Sequence, residues 1–222
     1  RLRTTSDNFP LEVFFLRDDD IPLYVEDGVA DIGIVGENVL FEKNKTVEVL
    51  EQLGFGKCRL SLAIPRNEEF IGIQQLQGKR IATSYPVLLA NYLKEYNVSA
   101  DIHEISGSVE IAPGIGLAEA IADLVSSGST LFMNGLKEVA TILSSQAVLI
   151  KNHDLNDDKI ILLNKLLFRI RAVKKSKRNK YILLNAPNDN LEAILKVLPG
   201  MNHLVILKMG LISRIPRHFF IQ

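Results

Sequence analysis

"GVADIGIVGEN", residues 28–38, has a looser second copy at residues 116–128, "GLAEAIADLVSSG". This pairing decides how the fold is read. In each copy a glycine ends a helix, and an apolar residue, an alanine and an acid follow. Then come an apolar strand and small residues that open another helix. Two like α/β lobes would set the two loops on facing strand ends. Ligands of open α/β sheets sit outside the carboxyl ends of the strands. A cleft between the lobes is therefore expected, with one loop on each wall.

Upstream of the first copy, "LEVFFLR" (11–17) reads as a strand. "DDDIPLYVEDG" (18–28) reads as a helix with acids at its positive end, Pro22 in its first turn and Gly28 as its C-cap. "ADIGIVG" (30–36) is a buried strand and "ENVLFEK" (37–43) another helix. This alternation predicts a largely parallel sheet covered by helices. Further along, "CRLSLAIP" (58–65), "GKRIATSYP" (78–86), "SADIHEIS" (99–106), "AIADLV" (120–125), "KEVATIL" (137–143) and "QAVLIKN" (146–152) read as strands. "VLLANYLKEY" (87–96), "VEIAPGIGLAE" (109–119), "LFMNGL" (131–136) and the amphipathic stretch 157–180 read as helices. "YILLNAP", "DNLEAILKVLPG" and "HLVILKMGL" read as strand, helix and strand of a separate small domain.

The chain carries 26 basic and 26 acidic side chains, so it has no global field to attract nucleic acid or an anionic membrane. The basic run closing the long helix reads as a solvated helix end. No apolar run approaches the ~18 residues of a membrane span. Cys58 is the single cysteine, which excludes an intrachain disulfide and suits a reducing cytosol. The sequence opens at Arg1, not Met, which points to missing N-terminal residues.

The chemistry concentrates in "DLVSSGST", residues 123–130. A strand delivers Asp123 at its carboxyl end. Gly128 permits positive φ and close approach of a ligand to the backbone. The amides of Gly128, Ser129 and Thr130 stand at a helix start, where free N–H groups and the helix dipole favour phosphate. Ser126, Ser127, Ser129 and Thr130 add donors, and ionised Asp123 accepts from sugar hydroxyls. The plainer alternative is a capped turn with Asp123 bonded to backbone.

Other candidates carry similar pairs of readings. Arg17 binds a nucleotide phosphate or stacks on a base, or else pairs with the carboxylates behind it. Glu37 and Asn38 face the cleft, with Asn38 reading an adenine edge or serving as an N-cap. Tyr85 stacks on a ring or packs before Pro86. Glu110 holds a hydroxyl or a metal-bound water, or is a solvated helix carboxylate. "GIQQLQGKR" (72–80) is not a Walker loop: five residues separate its glycines and Arg80 stands where Ser or Thr is needed. His103, His153, His203 and His218 have no ligand spacing, so no zinc site is argued.

"LRDDDIPLYVEDGVADIGIVGENVL", "CRLSLAIP", "GKRIATSYP", "GSVEIAPGIGLAEAIADLVSSGSTLFMNGL" and "YILLNAPNDNLEAILKVLPG" together resemble the ATP phosphoribosyltransferases, long form, collinearly over most of residues 10–200. The resemblance implies an α/β fold of two lobes similar to type II periplasmic binding proteins, followed by a truncated α+β C-terminal regulatory domain. The expected division is lobe I over 1–62 with 157–178 returning to it, lobe II over 63–156, and the regulatory domain over 179–222. The resemblance implies transfer of phosphoribosyl from 5-phosphoribosyl-1-pyrophosphate (PRPP) to N1 of ATP, the first step of histidine biosynthesis.

On that resemblance Asp123, Val125, Ser126, Ser127, Gly128, Ser129 and Thr130 bind PRPP, the loop on its 5′-phosphate and Asp123 on its ribose. Arg17 and Asn38 match the family's ATP site, to which the reading of the residues adds Glu37 and Tyr85; that reading also takes Asp123 and Glu110 as the catalytic carboxylates, stabilising the cationic ribose. Mg²⁺ rides on pyrophosphate, with no protein ligand assigned. Histidine and AMP are expected inhibitors, a cytoplasmic homo-oligomer between dimer and hexamer the expected assembly, and no nucleic acid or membrane a partner. The family's opening strand with its Lys-Gly-Arg-Leu-like stretch has no counterpart here, and the match fades after Gly200. Two rival readings are a two-lobed sensor without catalysis and a phosphosugar enzyme of another reaction type. Pyrophosphate release that needs both ATP and PRPP separates all three.

Overall fold

The computed structural model describes residues 2–178 and, beyond them, residues 182–185, 193, 204–206 and 218–221. These fall into two compact units, Arg1–Leu155 and Asn156–Gln222. The first contains two sheets that hold the cleft-forming elements, and a short ribbon.

The ribbon pairs β1 (Arg3–Thr5) antiparallel with β2 (Glu12–Phe14). The expected strand over 11–17 is thus three residues long and belongs to neither large sheet. Helix α1 (Ile21–Glu26) follows with Pro22 in its first turn. Its cap is Asp27, and Gly28 comes one residue later at φ +71°, donating its N–H to the Val25 carbonyl.

The first sheet runs β3 (Ile32–Gly36), β10 (Ala147–Lys151), β4 (Glu48–Gln52), with both pairings antiparallel. Helices α1 and α2 (Glu37–Lys43) contribute Ile21, Val25, Val39 and Leu40 to a core built on Val35, Val148 and Ile150. Gly33 is needed there: a Cβ would lie 2.7 Å from Ile21 Cγ2 and 2.9 Å from Val25 Cγ2. Asn152 closes the helix end, its Nδ2 donating to the Val25 carbonyl at 2.6 Å.

The second sheet has the order β7 (Asp101–Glu104), β6 (Arg80–Thr83), β8 (Ala120–Val125), β5 (Cys58–Pro65), β9 (Leu136–Ser145). β6 runs parallel to β7 and β8, whereas β5 runs antiparallel to β8 and β9. The expectation of a largely parallel sheet is corrected: the first sheet is antiparallel, and the second is mixed because β5, arriving from the first sheet, lies reversed between β8 and β9. Alternating residues face two layers. Leu62, Ile64, Ile81, Ala120 and Ala122 pack under Leu89 and Leu93 of α3 (Pro86–Glu95). Ala63, Ala82, Ile121 and Val125 pack under Val109, Ala112 and Leu131. Leu60 and Leu62 are fully buried, each contributing about 2 kcal/mol by transfer from water.

The helix expected over 109–119 is reduced to a 3-10 turn, Val109–Ile111, followed by further turns. Pro113 removes a helical donor, and Gly116 sits at φ +75°. The stretch 72–80 forms a 3-10 turn, Ile73–Leu76, leading into β6.

Passage between the sheets happens twice. Residues 53–57 lead from β4 to β5, and Gln146 alone separates β9 from β10. The crossings are bonded to each other, Leu53 N–H to the Ala147 carbonyl and Ala147 N–H to the Phe55 carbonyl, each at 2.9 Å. Residues 58–62 therefore stand in the second sheet and 147–151 in the first.

In the second unit, α5 (Asp157–Arg178) starts with Asp157 and Asp158 in its first turn. β11 (Ile182–Asn185), β13 (His218–Ile221) and β12 (Leu204–Ile206) form an antiparallel sheet with β13 central. The expected strands at 181–187 and 203–211 are present as β11 and β12. The expected helix over 189–200 lies outside the described residues except for Ala193, which is helical.

Candidate active site

The two copied segments become two of the strand-to-helix junctions of the first unit, β3 to α2 and β8 to the short helix after it. At the second, β8 ends at Val125, and Ser126 and Ser127 are exposed. Gly128 caps α4 (Ser129–Met133) at φ +80°, ψ 0°, a conformation for which glycine carries no Cβ penalty. Ser127 and Ser129 hydroxyls lie 2.9 Å apart, and the Ser129 N–H reaches Ser127 Oγ at 3.4 Å. Ser129 and Thr130 are exposed, while Leu131 is the buried residue that seats the short helix. The loop presents alcohols to solvent, and of the plainer reading, a capped turn with Asp123 bonded to backbone, the backbone bond is present.

Asp123 stands on β8 opposite Ser61 of β5. Its Oδ1 accepts the Leu124 N–H at 2.7 Å. Burial pushes this carboxyl above its ordinary value; the Leu124 N–H pulls it back, and the charge of Glu110 pushes it up again. Glu110 lies in the 3-10 turn, close enough to act on Asp123 electrostatically. The two acids singled out from sequence are thus brought together.

Beside Asp123 lies a polar row that the sequence reading passed over. Ser61 is 1% exposed and donates to Glu138 Oε1 at 2.8 Å. Arg59 grips both oxygens of Glu138, with Nε and Nη2 each at 2.5 Å, and its Nη1 reaches the Ser126 carbonyl at 3.4 Å. The Arg59 hydrogen bonds hold the Glu138 carboxyl below its usual range despite partial burial. A signal existed: Arg59 and Ser61 are polar at alternate positions of an otherwise apolar strand, which marks one face as not core. Their partner is 79 residues away in sequence and carries no such mark.

At the first junction the arrangement is different. Gly36 caps α2 with extended backbone, and Glu37 opens the helix with no intervening loop. Asn38 is 4% exposed and fully engaged. Its N–H donates to Ser145 Oγ at 3.1 Å, its Oδ1 accepts from that hydroxyl at 2.8 Å, and its Nδ2 donates to the Tyr85 hydroxyl at 3.2 Å. Glu37 Oε1 accepts from Gln52 Nε2 at 3.0 Å. Burial pushes the Tyr85 phenol up to about 12; the Asn38 bond opposes this, and Asp18, Asp123 and Asp19 add to it. Tyr85 is therefore a protonated phenol, standing among Asn38, the acidic turn before α1 and Asp123. Because Asn38 donates to it, its own proton is available to an acceptor. Arg17 is exposed, and among the described residues no ion pair holds it; Asp19 pairs instead with Lys43 at 3.8 Å. Glu42 of α2 accepts the Val87 and Leu88 N–H groups, both at 2.9 Å, so one lobe caps the α3 helix of the other.

Of the remaining sequence candidates, His103 Nε2 lies 2.9 Å from Asp101 Oδ2 and Cys58 is the half-buried first residue of β5. Among the described residues no helix is long and apolar enough to cross a membrane.

Two sheets joined by paired crossings, with one exposed loop beside half-buried carboxyls, define a two-lobed α/β protein of the type II periplasmic-binding-protein architecture. That architecture is shared with a putative periplasmic sulfonate-binding protein from Methylobacillus flagellatus: TM-score 0.53 at 17% identity, covering 81% of this chain and 58% of that one. The family model described as "HisG: ATP phosphoribosyltransferase" matches residues 17–172. An ATP phosphoribosyltransferase from Bacteroides thetaiotaomicron is 56% identical over 209 residues, 94% of this chain and 74% of that one. A solved ATP phosphoribosyl transferase (HisG:HisZ) complex from Thermotoga maritima superimposes with TM-score 0.68 at 26% identity, over 79% of this chain and 88% of that one. The chain belongs to the ATP phosphoribosyltransferase family. It is a transferase of the first step of histidine biosynthesis, joining the phosphoribosyl group of PRPP to N1 of ATP.

Proposed function

We propose that residues 123–130 hold PRPP, with the amides of Gly128, Ser129 and Thr130 and the hydroxyls of Ser126, Ser127, Ser129 and Thr130 around its 5′-phosphate. Val125 contributes backbone at the loop's root, and Asp123 takes the ribose hydroxyls. The observation that carries this is the exposed loop turned by Gly128 at φ +80° beside the half-buried Asp123. ATP is assigned to the other wall. Arg17 takes a phosphate there, Tyr85 takes the base, and Asn38 acts by fixing the Tyr85 ring through its hydroxyl. Glu37, tied to Gln52, borders this pocket.

Adenine N1 attacks C1 of the ribose with inversion, and the bond to pyrophosphate breaks. Positive charge grows on the sugar and negative charge on the leaving group. N1 carries its own lone pair, so the protein needs no strong base. It supplies positioning and preorganised donors. Asp123 and Glu110 are assigned to stabilise the cationic ribose by their negative charge. Among the described residues no group of three His, Cys, Asp or Glu converges on a metal position. Glu110 and Asp123 would offer one or two carboxylate ligands to a magnesium ion that takes the rest from phosphate. Such an ion would supply neutralisation of charge on the departing pyrophosphate. The assignment further takes the chain as a cytoplasmic homo-oligomer, with residues 179–222 as the regulatory portion on which histidine and AMP act.

The test is pyrophosphate release with ATP and PRPP supplied singly and together. Release only with both is expected. Release with PRPP and another acceptor base, or tight binding without release, would overturn the assignment of this site.

A further inference from the structure

β5 has an arginine near its start and another immediately after its end, and both reach the loop-and-helix segment that follows β8. In the antiparallel register Arg59 lies opposite Val125, the last residue of β8, and Pro65 lies opposite Leu136, the first residue of β9. The chain between those points must recross the face of β5 from one end to the other, six residues or about 20 Å. Residues 126–135 make that crossing, and α4 fills part of it.

Little apolar surface secures this segment. Leu131 is the buried side chain of α4, while Phe132 and Met133 are 66% and 77% exposed. Polar contacts stand at both ends. At the departure, Arg59 Nη1 reaches the Ser126 carbonyl at 3.4 Å, with the guanidinium held flat by Glu138. At the landing, Arg66 Nη2 donates to the Phe132 carbonyl at 3.0 Å and its guanidinium lies 3.9 Å from the centre of the Phe132 ring. The Arg66 N–H also donates to the Gly135 carbonyl at 2.8 Å. A cation at the end of a helix meets its carbonyls and the negative end of its dipole, and a guanidinium stacked on a ring adds a second, orientation-dependent attraction.

We propose that Arg59 and Arg66 are positioning residues for PRPP, bracing the two ends of the segment Ser126–Phe132 so that its amides hold the geometry the 5′-phosphate requires. The proposal rests on the assignment of this loop to PRPP. Neither arginine need touch the substrate. Arg66 is the cleaner probe, because Arg59 also stabilises Glu138. Loss of the stack and the carbonyl bond predicts a rise of about tenfold in KM for PRPP in Arg66→Ala.

The experiment measures steady-state pyrophosphate release by the full-length enzyme, varying PRPP and ATP separately, for Arg66→Ala, Arg66→Lys, Phe132→Leu and Thr130→Val. The brace predicts that Arg66→Ala raises KM for PRPP while KM for ATP and the melting temperature stay near those of the parent. Arg66→Lys, keeping charge without the planar fork, restores only part of the loss, and Phe132→Leu loses the stack but keeps the carbonyl bond, giving a smaller rise. An unchanged KM for PRPP in Arg66→Ala, alongside a raised one in Thr130→Val, overturns the brace and leaves the loop assignment standing. An unchanged KM for PRPP in Thr130→Val overturns the loop assignment and the brace with it. Equal rises for both substrates in Arg66→Ala mark a general structural role and also overturn the brace.

Discussion

The two strand-to-helix junctions began as variations on one sequence pattern and have been put to opposite uses. At Gly36–Asn38 the helix starts at once, Asn38 is buried, and every polar atom of its side chain has a protein partner. At Val125–Ser129 an inserted crook of Ser126, Ser127 and Gly128 leaves the hydroxyls bonded mainly to one another and exposed. Two further serines and a glycine in the loop separate a buried joint from an exposed polar loop. The first junction fixes Tyr85 and holds the lobes in register. The second carries a carboxyl kept partly out of water.

Substitution at the second junction should cost activity and spare the fold. Asp123→Asn keeps the shape and removes the charge, and turnover should fall by about a hundredfold, the scale of losing one preorganised electrostatic contact. Its stability should move the other way. The folded carboxyl titrates above its ordinary 3.8, so stability is greatest below that value, falls as pH rises through the folded value, and carries the full penalty at neutral pH. Melting curves at neutral pH should therefore show Asp123→Asn at or above the parent. A clear loss of stability would place Asp123 with the structural junction.

The two capping glycines give the next contrast. A Cβ at position 36 would lie 2.3 Å from Asn38 Oδ1, so Gly36→Ala must displace a buried side chain and should cost about 2 kcal/mol in denaturant unfolding. A Cβ at position 128 meets only Val125 Cγ1 at an ordinary 3.8 Å. Gly128→Ala should cost about 1 kcal/mol, from backbone conformation alone, while raising KM for PRPP. Reversal of that order in stability would remove the distinction.

The smallest effect tests β8 from its other end. Glu119 accepts the Arg80 N–H at 2.8 Å and pairs with its guanidinium, and these bonds hold its carboxyl at about 2. That contribution is present above 4.5 and is lost as pH falls toward 2. Glu119→Gln should flatten the acid limb of stability against pH with turnover at neutral pH little changed. β8 and the residue before it thus carry two acids with opposite pH dependence.

What the sequence made visible follows from local chemistry. "CRLSLAIP" and "AIADLV" became strands with the expected bounds, because apolar runs ended by proline or by a serine–glycine loop leave one solution. "ENVLFEK" did likewise as a helix. Strand direction was not legible: periodicity of side chains is the same in parallel and antiparallel strands. β4 was passed over although Val47 and Val49 alternate with charged residues. The helix read over 109–119 ignored Pro113. At the candidate site, the glycine-turned loop after β8 was legible because its residue types disfavour strand and helix alike. The burial of Asn38 and the Arg59–Glu138 pair were not, since each depends on a partner more than 70 residues distant.

The two bonded crossings at residues 53–57 and Gln146 have a mechanical consequence. Chains tied side by side act as a leaf spring: they flex about one line and resist sliding and torsion. Glu42 on the first amides of α3 and Asn38 on Tyr85 would then part and meet as a pair, so both bonds belong to one stroke.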